Sequence, residues 1–140
     1  LNARIDEALA TLGLEDLADR RTAGFSQGER MKTALARAIL HRPPNLLLDE
    51  PTNGLDIAAV RSLRGLLVRF RAAGLCIVLS SHVLEEVRML CDHLVILRRG
   101  EVADRGTPAA ICAEAGTASL AEAFLAVTAA REAIVCSTRR

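Results

Sequence analysis

The run Asn45-Leu46-Leu47-Leu48 ends in two adjacent carboxylates, Asp49 and Glu50, and the chain then turns at Pro51. Successive side chains on a strand point to opposite faces, so neighbouring acids at a strand end are offered in different directions. One suits the shell of a cation and the other suits a water to be oriented or deprotonated, as a magnesium–nucleotide site requires. The plainer reading is a solvated strand end. A second segment, Phe25-Ser26-Gln27-Gly28-Glu29, places Ser26 where a helix should begin. A helix N-terminus offers unpaired N–H groups and a favourable dipole end to an anion, and a glycine there allows close approach to the backbone. The plainer reading is that Ser26 and Glu29 only cap the helix. His82 follows the apolar run Leu75 to Ser80 after the single residue Ser81. A lone histidine is ordinarily a structural or surface residue, but a neutral imidazole beside those acids could hydrogen-bond a terminal phosphate.

These residues need elements to hold them. Ile5, Ala8, Leu9 and Leu12 have helical spacing, with Gly13 as a stop, and Leu14 to Asp19 suits a short helical turn. Ser26 opens a helix whose buried face should be Met31, Ala34, Leu35, Ala38 and Ile39, ending at Pro43-Pro44. Asn45 to Asp49 and Leu75 to Ser80 read as fully buried strands, separated by a helix carrying Val60, Leu63, Leu67 and Phe70. Val83 to Leu90 is a short helix. Leu94 to Arg98 and Glu101 to Arg105 form a hairpin across Arg99-Gly100. Thr107-Pro108 and Ser119 start two further helices, the second running to about Ala130, and Cys136 to Arg140 is expected to fray. Alternating helices and strands predict an α/β fold with a mostly parallel sheet flanked by helices. Ligands in such sheets bind outside the carboxyl ends of the strands, where Asp49-Glu50 and Ser80-Ser81-His82 fall.

Composition sets the bounds. The chain has 140 residues, 51% of them apolar but only 2% aromatic, so its core must be aliphatic. A formal charge of +1 speaks against a nucleic-acid partner. The apolar runs are far shorter than the ~18 residues of a membrane span, and the opening Leu1-Asn2-Ala3-Arg4 carries no signal-peptide apolar region. Cys76, Cys91, Cys112 and Cys136 are widely spaced, which predicts four reduced cysteines and no metal site.

Taken in order, FSQGE, then NLLLDEPTNGLD over Asn45 to Asp56, then Ser80-Ser81-His82 resembles the ATP-binding subunit of ABC transporters. The matching motifs are that family's signature, Walker B, D-loop and switch histidine. The wording of FSQGERMK and DEPTNGLD is most similar to the sodium-efflux and multidrug-export branches. The resemblance implies an incomplete P-loop NTPase-type sheet. A helical signature segment would occupy residues 1–44, the sheet core 45–106 and C-terminal helices 107–140. It implies ATP and Mg²⁺ as cofactors, with Asp49 on the metal, Glu50 as general base and His82 on the γ-phosphate. Asp56 would lie at a dimer interface, and Ser26, Gln27, Gly28 and Glu29 would meet ATP held by a second ATPase subunit. A separate membrane permease would be the other partner, placing the protein peripherally at the cytoplasmic side of the cell membrane.

Two departures from the family pattern stand out. The common signature is Leu-Ser-Gly-Gly-Gln, and Phe25, Gln27 and Glu29 replace three of its residues here. The loop G-x-x-x-x-G-K-[ST] does not occur, since Lys32 is the only lysine and Met31 precedes it. The chain is therefore expected to be the C-terminal part of an ATPase and inactive alone. The alternatives are a truncated, non-catalytic interaction module and an ABC-type ATPase working outside transport.

Overall fold

A computed structural model describes residues 2–128 and the backbone of 134–138. The chain forms two compact units, Leu1–Leu46 with Thr52–Leu75, and Leu47–Pro51 with Cys76–Arg140.

The first unit is helical. It contains α1 (Asn2–Leu12), short 3₁₀ turns at Glu15–Leu17 and Thr22–Gly24, α2 (Gln27–Ile39) and α3 (Ile57–Ala72). It also holds the start of β1 (Asn45–Leu48). Apolar positions three and four apart on α3 bury Leu63, Leu66, Leu67 and Phe70, while α1 contributes Ala8 and Leu12. Leu63 is only 1% exposed, a burial worth about 1.5–3 kcal/mol. Helix α3 is followed by Gly74, whose φ of +92° is the left-handed conformation that glycine adopts without a Cβ clash. The N–H of Gly74 donates to Arg71 and that of Leu75 to Phe70, satisfying the last carbonyls. Helix α2 buries less than its spacing predicts. Leu35 is buried, Met31, Ala38 and Ile39 are half-buried, and Ala34 is exposed.

The second unit is built on a sheet of order β1-β2-β5-β3-β4, with β2 (Cys76–Ser81), β3 (His93–Arg98), β4 (Glu101–Gly106) and β5 (Ile134–Thr138). It also carries α4 (Leu84–Leu90), α5 (Pro108–Glu114) and α6 (Leu120–Val127). Both β2 and β3 pair antiparallel with β5, so β2 and β3 run in the same direction. The expected hairpin joins β3 and β4, and Arg99 and Gly100 both have positive φ, as a two-residue hairpin turn needs. Ile77, Leu79, Val87, Leu94, Ile96 and Ile111 form its core. Thr107 caps α5 with Pro108 in the first turn, and Ser119 caps α6, which ends at Val127.

Several expectations are corrected. Neither β1 nor β2 is buried throughout: both alternate, and Leu47 is 75% exposed. β1 lies at the edge of the sheet, and alternate residues of a strand face opposite sides. The segment Ile134–Thr138, expected to lie in a helical and then fraying C-terminal region, is strand β5. Its residues are rich in β-branched types, a preference that the expected fraying overlooked. Cys91 is disulfide-bonded, although all four cysteines were expected to be reduced, while Cys76 and Cys112 are free. Spacing rules detect clustered cysteines, whereas a disulfide needs only two Cα atoms within about 7 Å, which sequence separation does not reveal.

Candidate active site

The acids sit where the strand direction puts them. β1 ends at Leu48, and Asp49 and Glu50 follow in the turn before Pro51. Glu50 has φ +43°, a left-handed conformation that costs a residue with a Cβ about 1–2 kcal/mol. Such strain persists only where neighbours over-determine it. Ser80, near the end of β2, is one such neighbour: its Oγ accepts the Glu50 N–H at 2.9 Å. The same hydroxyl donates to Asp49 Oδ1 at 2.5 Å, leaving the other carboxylate oxygen for a further partner. Two residues on, His82 Nδ1 lies 2.8 Å from Glu50 Oε2. The His82 side chain is 65% exposed and that of Glu50 27%, so the pair is open to solvent on the imidazole side. Asp49, Glu50 and His82 are thus brought together within one unit, joined by Ser80.

Sequence reasoning gave Ser80 no role. The signal was available: Ser80 opens the Ser80-Ser81-His82 stretch at the end of β2, on the edge where Asp49 and Glu50 emerge. Ser81 faces inward and is fully buried; its hydroxyl accepts the Val83 N–H and bonds Glu86 at 3.4 Å.

Ser26, Gln27, Gly28, Glu29 and Asp56 belong to the first unit. The capping box predicted at α2 is complete, with the Ser26 hydroxyl accepting the Glu29 N–H and Glu29 Oε2 accepting the Ser26 N–H at 2.7 Å. Glu29 therefore spends its charge on its own helix start, with Arg20 3.7 Å away. The N–H groups of Gln27 and Gly28 lie outside that box, among the first-turn donors of the helix. Asp56 caps α3 by accepting the Ala59 N–H at 2.7 Å. The two helix starts meet: a Cβ on Gly28 would lie 3.3 Å from the Ala59 Cβ, and Gly54 approaches the Gln27 side chain. A side chain at position 28 would thus crowd the start of α3, besides hindering close approach by an anion.

Two expected results follow from these caps. Ser26→Ala and Asp56→Ala should each lower stability by about 1 kcal/mol, read from urea midpoints at constant slope. A smaller loss in both would mean that neither cap supports its helix. The Glu29 carboxyl is held below its ordinary 4.5, first by the Ser26 N–H, then by the Ser26 hydroxyl and the charges of Arg20 and Lys32. Its contribution to stability is therefore complete above pH 4.5 and is lost as the pH falls through the lowered value. Glu29→Gln should flatten that part of the acid limb of a stability–pH curve, and an unaltered acid limb would contradict the assignment.

The donor set fits a magnesium ion. Among the described residues there is no group of three or more His, Cys, Asp or Glu that could hold a metal unaided. Magnesium is characteristically held by one or two carboxylates, with waters and substrate phosphates completing six oxygens. A single Asp49 carboxylate, oriented through one oxygen, suits that role.

The chain is similar to known proteins over most of its length. Residues 1–53 match the sequence profile of the ABC transporter family. The ABC transporter ATP-binding protein NatA of Bacillus subtilis is 42% identical over 106 residues, covering 76% of this chain and 43% of NatA. The cobalt import ATP-binding protein CbiO of Rhodobacter capsulatus is 44% identical over 115 residues, 82% of this chain and 41% of that protein. Among solved structures, an ATP-binding subunit of an ABC transporter superposes with TM-score 0.78 at 34% identity, over 90% of this chain and 53% of that one. CbiO1 of Clostridium perfringens, part of the transporter complex CbiONQ, gives TM-score 0.72 at 34% identity, over 81% and 45%. The chain spans about two fifths of the length of these two curated relatives. On these grounds the chain is similar to the ATP-binding proteins of ABC transporters, and its α/β architecture is that of their ATPase domains.

Proposed function

We propose that this chain is the C-terminal part of a subunit that hydrolyses ATP as a dimer at the cytoplasmic face of a membrane and drives transport through a separate permease. The hydrogen-bonded line Asp49–Ser80–Glu50–His82 at the strand ends carries the reading. Magnesium, when bound, supplies charge neutralisation at the phosphate oxygens. Asp49 would hold it. Glu50 accepts a proton from the attacking water as the γ-phosphoryl group leaves ADP, giving phosphate and a neutral carboxyl. His82 holds Glu50 through Nδ1 and has Nε2 for a phosphate oxygen. The N–H groups of Gln27 and Gly28, with the Ser26 hydroxyl, serve ATP held by the partner protomer, and Asp56 lies at that interface.

No helix among the described residues is long and apolar enough to cross a membrane, which leaves the crossing to the permease in this reading. Export is the proposed direction, on the wording of FSQGERMK and DEPTNGLD. Relatives named for cobalt and methionine import, at 44% and 36% identity, make a direct transport assay necessary. Phosphate release by the complete subunit tests the activity. Magnesium-dependent turnover that a chelator abolishes is expected, with none from these 140 residues alone, which lack G-x-x-x-x-G-K-[ST]. A complete subunit that neither binds nor hydrolyses ATP would overturn the reading.

A further inference from the structure

We propose that Ser80 is a positioning residue for hydrolysis, setting the metal-facing Asp49 and the base Glu50 through one hydroxyl; the proposal rests on the ATPase reading. The Ser80 Oγ joins the two acids. It accepts the Glu50 N–H at 2.9 Å and donates its own hydrogen to Asp49 Oδ1 at 2.5 Å. Each bond does a different job. The first fixes the backbone of Glu50 at φ +43°, a conformation that a glutamate does not favour, and so sets where its side chain leaves the turn. The second turns the Asp49 carboxylate so that Oδ1 faces the protein and Oδ2 remains for a cation or its water. Because a hydroxyl carries one hydrogen, donating to Asp49 fixes the polarity of the link, and its lone pair must then face the Glu50 amide.

The link spans thirty residues of sequence and crosses from the β1 turn to the end of β2, so it registers one strand end against the other. His82 follows two residues later, just past the end of β2, and bonds the Glu50 carboxylate at 2.8 Å. Glu50 is thereby held at both ends: its amide by Ser80 and its carboxylate by His82. Neither hydrogen bond of Ser80 requires it to touch ATP.

The test uses the complete subunit with Ser80→Ala, Ser80→Cys and Ser80→Thr beside Glu50→Gln. Ala and Cys should lower kcat by roughly 10- to 100-fold, as removal of a partner behind a metal ligand does, with the KM for ATP within about twofold. Thr keeps the hydroxyl and should restore most of the loss. As a readout independent of turnover, Mn²⁺ with ATP, followed by electron paramagnetic resonance, should bind more weakly to the Ala and Cys variants than to Thr. The Cys variant keeps the side-chain volume, so it carries the test if the Ala variant does not fold. Wild-type turnover and Mn²⁺ binding in Ala or Cys, or failure of Thr to rescue, would overturn the role of the hydroxyl. Turnover retained by Glu50→Gln would instead remove Glu50 from the role of base, whereas a complete wild-type subunit without turnover would strike at the ATPase reading itself.

Discussion

Glu50→Gln in the complete subunit should leave ATP bound and lower turnover by at least about 10²-fold, the contribution expected of a general base. Glutamine preserves the length of the side chain and can still meet His82 Nδ1, now 2.8 Å from the Glu50 carboxylate. The left-handed backbone of residue 50 and its N–H bond to Ser80 are also unaffected by the change. What is lost is the ability to take a proton from water. The expected signature is therefore a split, with nucleotide affinity near wild type and kcat collapsed, and an ATP-bound dimer that accumulates on gel filtration. Unchanged hydrolysis would remove Glu50 from the role of base.

His82→Ala should lower turnover by a similar factor, about 10²- to 10³-fold, the range seen when one preorganised hydrogen-bond donor is removed from developing charge. Its loss has two parts: a phosphate loses Nε2, and the Glu50 carboxylate loses the partner that orients it. Since the imidazole is mostly exposed, the substitution leaves the core untouched and the melting temperature should change little. The double variant with Glu50→Gln should be scarcely worse than either single one, because residues acting as a unit are strongly non-additive. Independent, multiplying losses would show that His82 and Glu50 work separately.

Much of this site is legible from residue type and order. Adjacent acids after an apolar run, a helix-opening serine and a histidine after the next run are local patterns, and each landed at an element end. Local chemistry also defined the caps: Ser26 with Glu29, Thr107 with Pro108, Ser119 with Glu122. The pattern failed where the outcome depends on what lies beside an element. Leu46 and Leu47 are equally apolar, yet one is buried and the other exposed, because burial at a sheet edge is decided by neighbours. The pairing of Ile134–Thr138 between β2 and β3 joins residues far apart in sequence, and periodicity carries no information about such partners. Ser80 escaped for the same reason, since its two bonds reach residues thirty and thirty-one positions away.

The central claim is that the edge formed by Asp49, Glu50 and His82 receives the terminal phosphate of ATP. A structure of the complete Glu50→Gln subunit with ATP and magnesium tests it most directly. The expected result is a dimer in which each γ-phosphate lies against Asp49, residue 50 and His82 of one protomer and the Ser26–Gly28 segment of the other. A γ-phosphate bound away from all three of those strand-end residues would contradict the account.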